Sequence, residues 1–309
     1  MRILAWNTGW NVSAGVVKMQ TEAVARLDAD VAFFSEWSPL RDRVTGAGTV
    51  RSSSGHLRAD ELAEAGLPYQ CYEHVSERAG DGRAWSGAYW GVLAAATSPI
   101  HKTLLTPPLH APGSWLELTH ERSGLTLVGV RLPAWDGKDT YLRRELWLWM
   151  VEQFDRLATV PTVVLGDFNT ESEYGSSARE VQFGGDLLRS VTRERGWRDP
   201  YVATGTAPEP TFWHRSSARR IDHAMVSPAF QGSIDAIHAP TQVEHLVVSG
   251  PARDENGEPR RRLADHAPLV IDVTPVRDDV PSEASTAAEA DGYIGSGMMA
   301  VDPTPSRHV

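Results

Sequence analysis

Isolated amide and carboxylate side chains stand at the ends of three short apolar runs in this sequence. Asn7 follows the run ILAW, Glu36 follows VAFFS, and Asp167 follows VVLG, with Asn169 two residues later. Rigid strands that end in loops are where α/β folds assemble ligand sites. Because Mg²⁺ and Mn²⁺ prefer hard oxygen ligands, these side chains predict a divalent-cation centre.

Two later segments add a histidine and two more carboxylates. Asp222 lies within the strand-like run RIDHAMV, and Asp265 and His266 stand directly before APLVI. Zinc is disfavoured, since the chain has a single cysteine, Cys71, and no CxxC or HExxH pattern. The sequence also lacks a Gly-rich phosphate loop and a GxSxG elbow, which disfavours kinases, dinucleotide enzymes and serine hydrolases.

Alternating strand and helix patterns must position these residues. Apolar periodicity predicts helices at about 16–27, 138–157 and 177–194. Short apolar and β-branched runs predict strands at 3–6, 31–35, 88–95, 115–118, 125–132, 162–165, 221–226, 246–249 and 269–273. With no linker before residue 277, the alternation indicates one α/β or α+β domain over residues 1–276.

Residues 277–309 differ in composition from the rest of the chain. They are rich in Ala, Ser and Pro and carry two arginines against six acidic residues, so we expect a disordered acidic tail. The net charge of −10 over 309 residues disfavours a surface coated with non-specific nucleic-acid-binding charge. No apolar run is long enough to span a membrane and no signal peptide opens the sequence, so we expect a cytoplasmic protein, and a monomer.

Five segments together resemble the endonuclease/exonuclease/phosphatase superfamily. In chain order they are WN at 6–7, SE at 35–36, GDFN at 166–169, RIDH at 220–223 and ADHAP at 264–268. Each motif alone is weak, but five in the family's order span nearly the whole chain before the tail. The resemblance implies an α/β fold, a four-layer α/β/β/α sandwich of two mixed sheets with outer helices, with the site at one end.

The resemblance also assigns a metal side to the site. Hydrolysis of a phosphate ester requires neutralised phosphoryl charge, an activated water and a stabilised leaving oxygen. By resemblance, Glu36 is the principal ligand of Mg²⁺ or Mn²⁺, with Asn7 beside it and Asp265 on the same side.

The remaining motif residues would carry the reaction. The resemblance implies that Asp167 orients or deprotonates the attacking water and that Asn169 donates its amide to the phosphate or the water. His266 would contact the scissile phosphate, held by Asp222, since a carboxylate partner raises a histidine's pKa and fixes its tautomer. Arg131 stands where many family members carry His or Tyr, and it suits charge stabilisation because it cannot release a proton at neutral pH.

Trp213 and Arg220 are the candidates for substrate binding. The segment PTFW at 210–213 resembles the aromatic segment before RID in DNA-acting members, so Trp213 could stack on a base or a deoxyribose. Core packing is the alternative for this indole. Arg220 belongs to the arginine clusters that flank the last two motifs; these could line a phosphate groove, with a solvated loop as the alternative.

These residues favour a divalent-metal-dependent phosphoesterase, an endo- or exonuclease that hydrolyses nucleic acid, with DNA favoured, through activated water. A phosphatase of a small phosphorylated molecule, nucleotide or phosphoinositide is the alternative. It is supported by the acidic charge and by the absence of abasic-site markers, namely an acidic residue just after Asn7 and an Asn shortly after Pro133. A catalytically inactive binding module is a third possibility, although clustered carboxylates without a cation would cost stability by mutual repulsion.

Overall fold

A computed structural model describes residues 1–9, 13–37, 42–45, 48–51, 59–73, 91–105, 112–133, 140–171, 179–214, 217–254 and 256–276. Residues 1–276 form one compact unit. The expected acidic tail at 277–309 and the first residues of the strand expected at 88–95 lie outside the described residues.

Helices and strands alternate along the described part of the chain. The helices are α1 (Ala14–Leu27), α2 (Ala59–Glu64), α3 (Thr140–Leu157), α4 (Arg179–Glu194) and α5 (Pro200–Thr204), with a 3₁₀ turn at Pro112–Ser114. The strands are β1 (Arg2–Asn7), β2 (Val31–Trp37), β3 (Asp42–Thr45), β4 (Gly48–Arg51), β5 (Tyr69–Glu73), β6 (Gly91–Ala96), β7 (Ile100–Lys102), β8 (Trp115–His120), β9 (Thr126–Arg131), β10 (Thr162–Asp167), β11 (Phe212–His214), β12 (Ser217–Arg219), β13 (Asp222–Val226), β14 (Ser233–His238), β15 (Gln242–Val243), β16 (Leu246–Val247) and β17 (Leu269–Thr274).

Two mixed sheets contain most of these strands. The first sheet has the order β14-β17-β1-β2-β6-β5, and the second has the order β13-β10-β9-β8-β7. Each sheet has one parallel pair, β1 with β2 and β9 with β10, and its other pairs are antiparallel. The carboxyl ends of the two strands in a parallel pair therefore meet at one edge of their sheet.

The two sheets pack face to face around a shared core. Ile3 and Phe33 of the first sheet and Leu127 and Leu165 of the second belong to one buried cluster. Gly129 allows a close approach, since a Cβ at this position would lie 2.2 Å from the Phe33 ring. This core fixes where the strand ends of both sheets lie.

Helices cover the outer face of each sheet. Val24 of α1 packs with Phe34 of the first sheet, and Phe154 of α3 and Leu188 of α4 pack with Val164 of the second. Because the central strands are buried on both faces, their apolar runs are continuous. The α/β/β/α sandwich expected from the resemblance is confirmed.

Most of the predicted elements are present with shifted ends. Helix α1 begins two residues before its predicted start, and the described parts of α3 and α4 begin two residues after theirs. Periodicity does not predict β5, β7 and β14, which are edge strands and bury less apolar surface than central ones. Among the described helices, none is both long enough and apolar enough to cross a bilayer.

Candidate active site

Strand register places three side chains of the second sheet side by side. Asp167 ends β10, and its partners are Arg131 at the end of β9 and Asp222 at the start of β13. Each of the three is at most 4% exposed. Residues paired in register share a face of the sheet, so one guanidinium and two carboxylates meet at one buried end.

Amide groups hold the Asp167 carboxylate. Its Oδ1 accepts the backbone N–H of Asn169 at 2.9 Å, and its Oδ2 accepts the side-chain amides of Asn169 at 2.9 Å and Asn7 at 3.0 Å. Burial raises the pKa of Asp167 to about 7, although nearby cationic groups oppose the shift. A carboxyl group with this pKa can exchange a proton near neutral pH.

Asn169 is committed to this carboxylate. Its side-chain amide nitrogen donates both to Asp167 and, at 2.7 Å, to the carbonyl of Leu132. A primary amide has two N–H donors, and both are used here. The arrangement favours an orienting role for Asn169 toward Asp167 over donation to a phosphate.

His266 and Asp222 form a buried ion pair, with Nδ1 of the imidazole 2.9 Å from the carboxylate Oδ2. Burial alone lowers the pKa of His266, but the negative charges of Asp222 and Asp167 outweigh it and raise the pKa to about 10. The ring is therefore cationic at neutral pH. Its Nε2 lies 3.5 Å from the amide nitrogen of Asn7, so this edge faces the Asp167 side of the site.

Thr211 and Phe212 fix the surroundings of this pair. The hydroxyl of Thr211 accepts the backbone N–H of Asp222 at 3.0 Å, and its carbonyl accepts that of Ala267 at 2.7 Å. The Phe212 ring lies 4.8 Å from the His266 ring. These contacts bind together two segments that are far apart in sequence.

Glu36 reaches the site from an irregular position in the first sheet. The register between β2 and β6 shifts between Ser35 and Trp37, which leaves Glu36 in a bulge with a φ of 60°. Bulges redirect side chains, and a positive φ is uncommon for glutamate. The carboxylate is partly exposed, and its Oε1 lies 3.5 Å from the guanidinium of Arg131 in the opposite sheet.

Asn7 and Asp265 lie at the same end. Asn7 ends β1, is 3% exposed, and accepts the backbone N–H of Gly9 at 3.1 Å through its side-chain oxygen. The Asp265 carboxylate contributes to the raised pKa of His266. The structure therefore gathers all of the predicted metal-ligating and catalytic residues at one end of the sandwich.

The two predicted substrate-binding residues are both engaged within the protein. Trp213 is 7% exposed and belongs to the core between the sheets, which favours the core alternative over base stacking. The Arg220 guanidinium donates to Asp199 at 2.7 Å and lies 5.0 Å from the centre of the Tyr201 ring. These contacts favour a structural role for Arg220.

Three of the clustered side chains at this end, those of Asp167, Asp222 and His266, also have the geometry of a candidate metal site. In the described residues, ligand atoms of Asp167, Asp222 and His266 all lie within 4.8 Å of one another. A cationic imidazole has no free lone pair, so His266 does not fit a cation ligand in this protonation state. The oxygen donors on the Glu36 side suit a hard cation better.

Sequence reasoning missed two buried donors behind the site. Arg143 of α3 donates to the carbonyl of Asn169 at 2.5 Å, and Nε2 of His223 lies 2.8 Å from the carbonyl of Thr170. Nothing in the sequence marks Arg143, since a charged residue on a helix is usually solvated. His223 follows the RID motif, but its ring packs against Phe168 on the face opposite Asp222.

A cavity of about 670 Å³ lies between α4, α5 and β13. Its walls include Trp197, Val202, Met225 and several arginines, and it contains none of the clustered carboxylates. We place the chemistry at the carboxylate end, because proton transfer and charge neutralisation require specific groups at atomic distance rather than volume.

The fold and this site define a protein of the phosphoesterase class. The Endonuclease/Exonuclease/phosphatase family matches residues 5–241, and the chain belongs to this family. The matched span includes Glu36, Asp167 and Asp222 and ends before His266. A search of curated proteins found no significant match.

Several solved structures have a similar fold. The 3′ phosphatase NExo from Neisseria, bound to a product DNA hairpin, is 17% identical with a TM-score of 0.60, covering 89% of this chain and 99% of that chain. An endonuclease/exonuclease/phosphatase from Beutenbergia cavernae DSM 12333 is 18% identical with a TM-score of 0.60, covering 89% and 71%. An AP endonuclease from Archaeoglobus fulgidus is 13% identical with a TM-score of 0.58, covering 88% and 98%. At these identities the likeness concerns the fold.

Proposed function

We propose that this protein is a divalent-metal-dependent phosphodiesterase that hydrolyses nucleic acid, with DNA as the favoured substrate. The observation that carries the proposal is the convergence of the Asp167 carboxyl group, the cationic His266 and the Arg131 guanidinium at one buried end. A proton acceptor beside two cations suits attack of water on an anionic phosphate.

The donor set fits a Mg²⁺ or Mn²⁺ ion. Four carboxyl groups meet two cationic groups at this end, so a further cation would reduce the remaining negative charge. The carboxyl groups are those of Glu36, Asp167, Asp222 and Asp265, and the cationic groups are His266 and Arg131. Glu36, Asn7 and Asp265 would hold the cation. When bound, it would neutralise phosphoryl charge and make a water molecule more acidic.

The chain's own groups divide the remaining work. Asp167, oriented by Asn169, accepts a proton from the attacking water or aligns it. His266 presents its Nε2–H to the phosphate, while Asp222 keeps the ring cationic and oriented. Arg131 adds the second positive charge through its guanidinium group.

The testing experiment is cleavage of supercoiled plasmid with Mg²⁺, beside an EDTA control and an Asp167→Asn variant. We expect nicking that requires the cation and is lost in the variant. Absence of strand cleavage by the folded protein, on plasmid and on nicked and single-stranded oligonucleotides, would refute nuclease activity.

One observation favours a second candidate, a phosphatase of a small phosphorylated molecule. Arg219 lies 3.5 Å from Glu171, and Arg220 is paired with Asp199, so two arginines expected to line a phosphate groove already have acidic partners. Release of inorganic phosphate from nucleotides or phosphoinositides, without plasmid nicking, would identify this activity. Calorimetric titration with Mg²⁺ would separate both enzymes from an inactive binding module.

A further inference from the structure

The loop after β10 has an uncommon backbone conformation at the residue that orients Asp167. Asn169 has a φ of 47°, and both its backbone N–H and its side-chain amide donate to the Asp167 carboxylate. A non-glycine residue in the left-handed region persists only where its surroundings hold it there. The contacts of this loop therefore decide how the carboxylate is oriented.

Two buried side chains from different elements hold the loop carbonyls. Arg143 of α3 donates to the carbonyl of Asn169 at 2.5 Å, and His223 of β13 is 2.8 Å from the carbonyl of Thr170. Arg143 and His223 are each 2% exposed, and Thr170 is fully buried. Loss of either donor would remove a buried hydrogen bond from the loop, which costs stability and lets the loop move.

The His223 ring has a fixed hydrogen-bonding role. Burial lowers the pKa of His223 to about 3, so the imidazole is neutral at physiological pH. Because the Thr170 carbonyl can only accept, the single ring hydrogen lies on Nε2. The ring also stands edge-on to Phe168, with 5.7 Å between ring centres, which fixes its orientation.

We propose that Arg143 and His223 are positioning residues that keep Asn169 in the conformation that orients Asp167. This inference rests on the proposed function, in which Asp167 acts on the attacking water. Neither residue touches the substrate in this assignment. Displacement of a catalytic group by about 1 Å can lower the rate about a hundredfold, so small loop movements would be measurable.

The kinetic test uses His223→Leu and Arg143→Met, which remove the donors but keep apolar volume. We expect kcat to fall about tenfold to a hundredfold in each variant while KM stays within about twofold. His223→Gln, which can donate from the equivalent position, should recover most of kcat.

The matched control is Met225→Ala. Met225 lies two residues from His223 on the same face of β13 and is 1% exposed. It packs in the core between the second sheet and its helices and makes none of the loop's hydrogen bonds. We expect this variant to lower the melting temperature at least as much as His223→Leu, with kcat nearly unchanged. Loss of kcat in proportion to melting temperature in all variants would overturn the proposal.

A second measurement is independent of activity. The backbone and side-chain amide NMR signals of Asn169 should shift in His223→Leu and Arg143→Met and stay in place in Met225→Ala. Unchanged Asn169 signals in both donor variants would overturn the proposal even if the rate falls. If the wild-type protein hydrolyses no phosphoester, the proposed function fails, and the NMR comparison still decides whether these residues hold the loop.

Discussion

The two sheets build their halves of the site in different ways. The second sheet places Arg131, Asp167 and Asp222 by regular register, and all three are buried. The first sheet supplies Asn7 from a regular strand end but Glu36 from a bulge, where the carboxylate remains partly exposed.

This difference matches two kinds of chemistry. Burial raises the pKa of Asp167 and strengthens the electrostatic interactions around it, which suits proton transfer and charge stabilisation. A partly solvated carboxylate leaves room for a cation such as Mg²⁺, which usually keeps several of its waters. We therefore propose that Asp167 of the second sheet carries the proton chemistry and that most of the cation binding belongs to the first sheet.

The largest expected effect comes from a substitution in the part of the site that the second sheet supplies. Asp167→Asn keeps the shape of the side chain but removes the proton acceptor, so we expect kcat for phosphodiester hydrolysis to fall about 10³-fold. Asp235→Asn, which changes an exposed carboxylate on β14, is the matched control. A loss of less than tenfold in Asp167→Asn would contradict the assignment of this residue.

The next largest effect is expected from a substitution in the part of the site that the first sheet supplies. Glu36→Gln should lower kcat about a hundredfold at low Mg²⁺ and recover part of it at high Mg²⁺, because a cation ligand has lost its charge. Calorimetry should show correspondingly weaker Mg²⁺ binding. Glu244→Gln is the control, since Glu244 is an exposed glutamate with a similar φ of 50°. Equal Mg²⁺ affinity in Glu36→Gln and wild type would place the cation elsewhere.

A smaller effect tests the buried pair that joins Asp222 of the second sheet to His266, which precedes β17 of the first sheet. Asp222→Asn removes the carboxylate that holds the pKa of His266 near 10, so the ring pKa should fall and kcat should drop about tenfold to a hundredfold. NMR titration of the His266 ring measures the shift directly. Because the folded-state pKa is raised, this pair stabilises the protein fully below about pH 6.5, and the contribution disappears as the pH rises through about 10. An unchanged pKa of the His266 ring in Asp222→Asn would show that another group keeps this pKa high.

The smallest expected effect concerns His223, on the face of the second sheet opposite Asp222. His223 has a folded-state pKa of about 3, so its contribution to stability is present above about pH 6.5 and is lost as the pH falls toward 3. Between pH 7 and pH 5.5 the free energy of unfolding of the wild type should decrease by about 1 kcal/mol more than that of His223→Gln. Urea denaturation of both proteins at the two pH values measures this difference, and parallel pH curves would contradict it.

The order of the motifs predicted the family and the four-layer fold. Apolar runs that end in Asn7, Glu36 and Asp167 were visible as local chemistry at predicted strand ends, and the structure places those side chains close together. The residue types also indicated oxygen ligands and a histidine paired with a carboxylate. These properties are local, because strand periodicity and ligand preference depend on short segments.

Other features of the site were decided only by tertiary packing. The bulge that turns Glu36 inward depends on pairing with β6, and the burial of Trp213 depends on the contact between the two sheets. Arg143 and His223 meet the Asn169 loop from elements that come before and after it in the chain. Their roles follow from long-range contacts, which bring together groups that no local pattern relates. Burial then lowers the pKa of His223 and makes the hydrogen bonds of both side chains hard to replace.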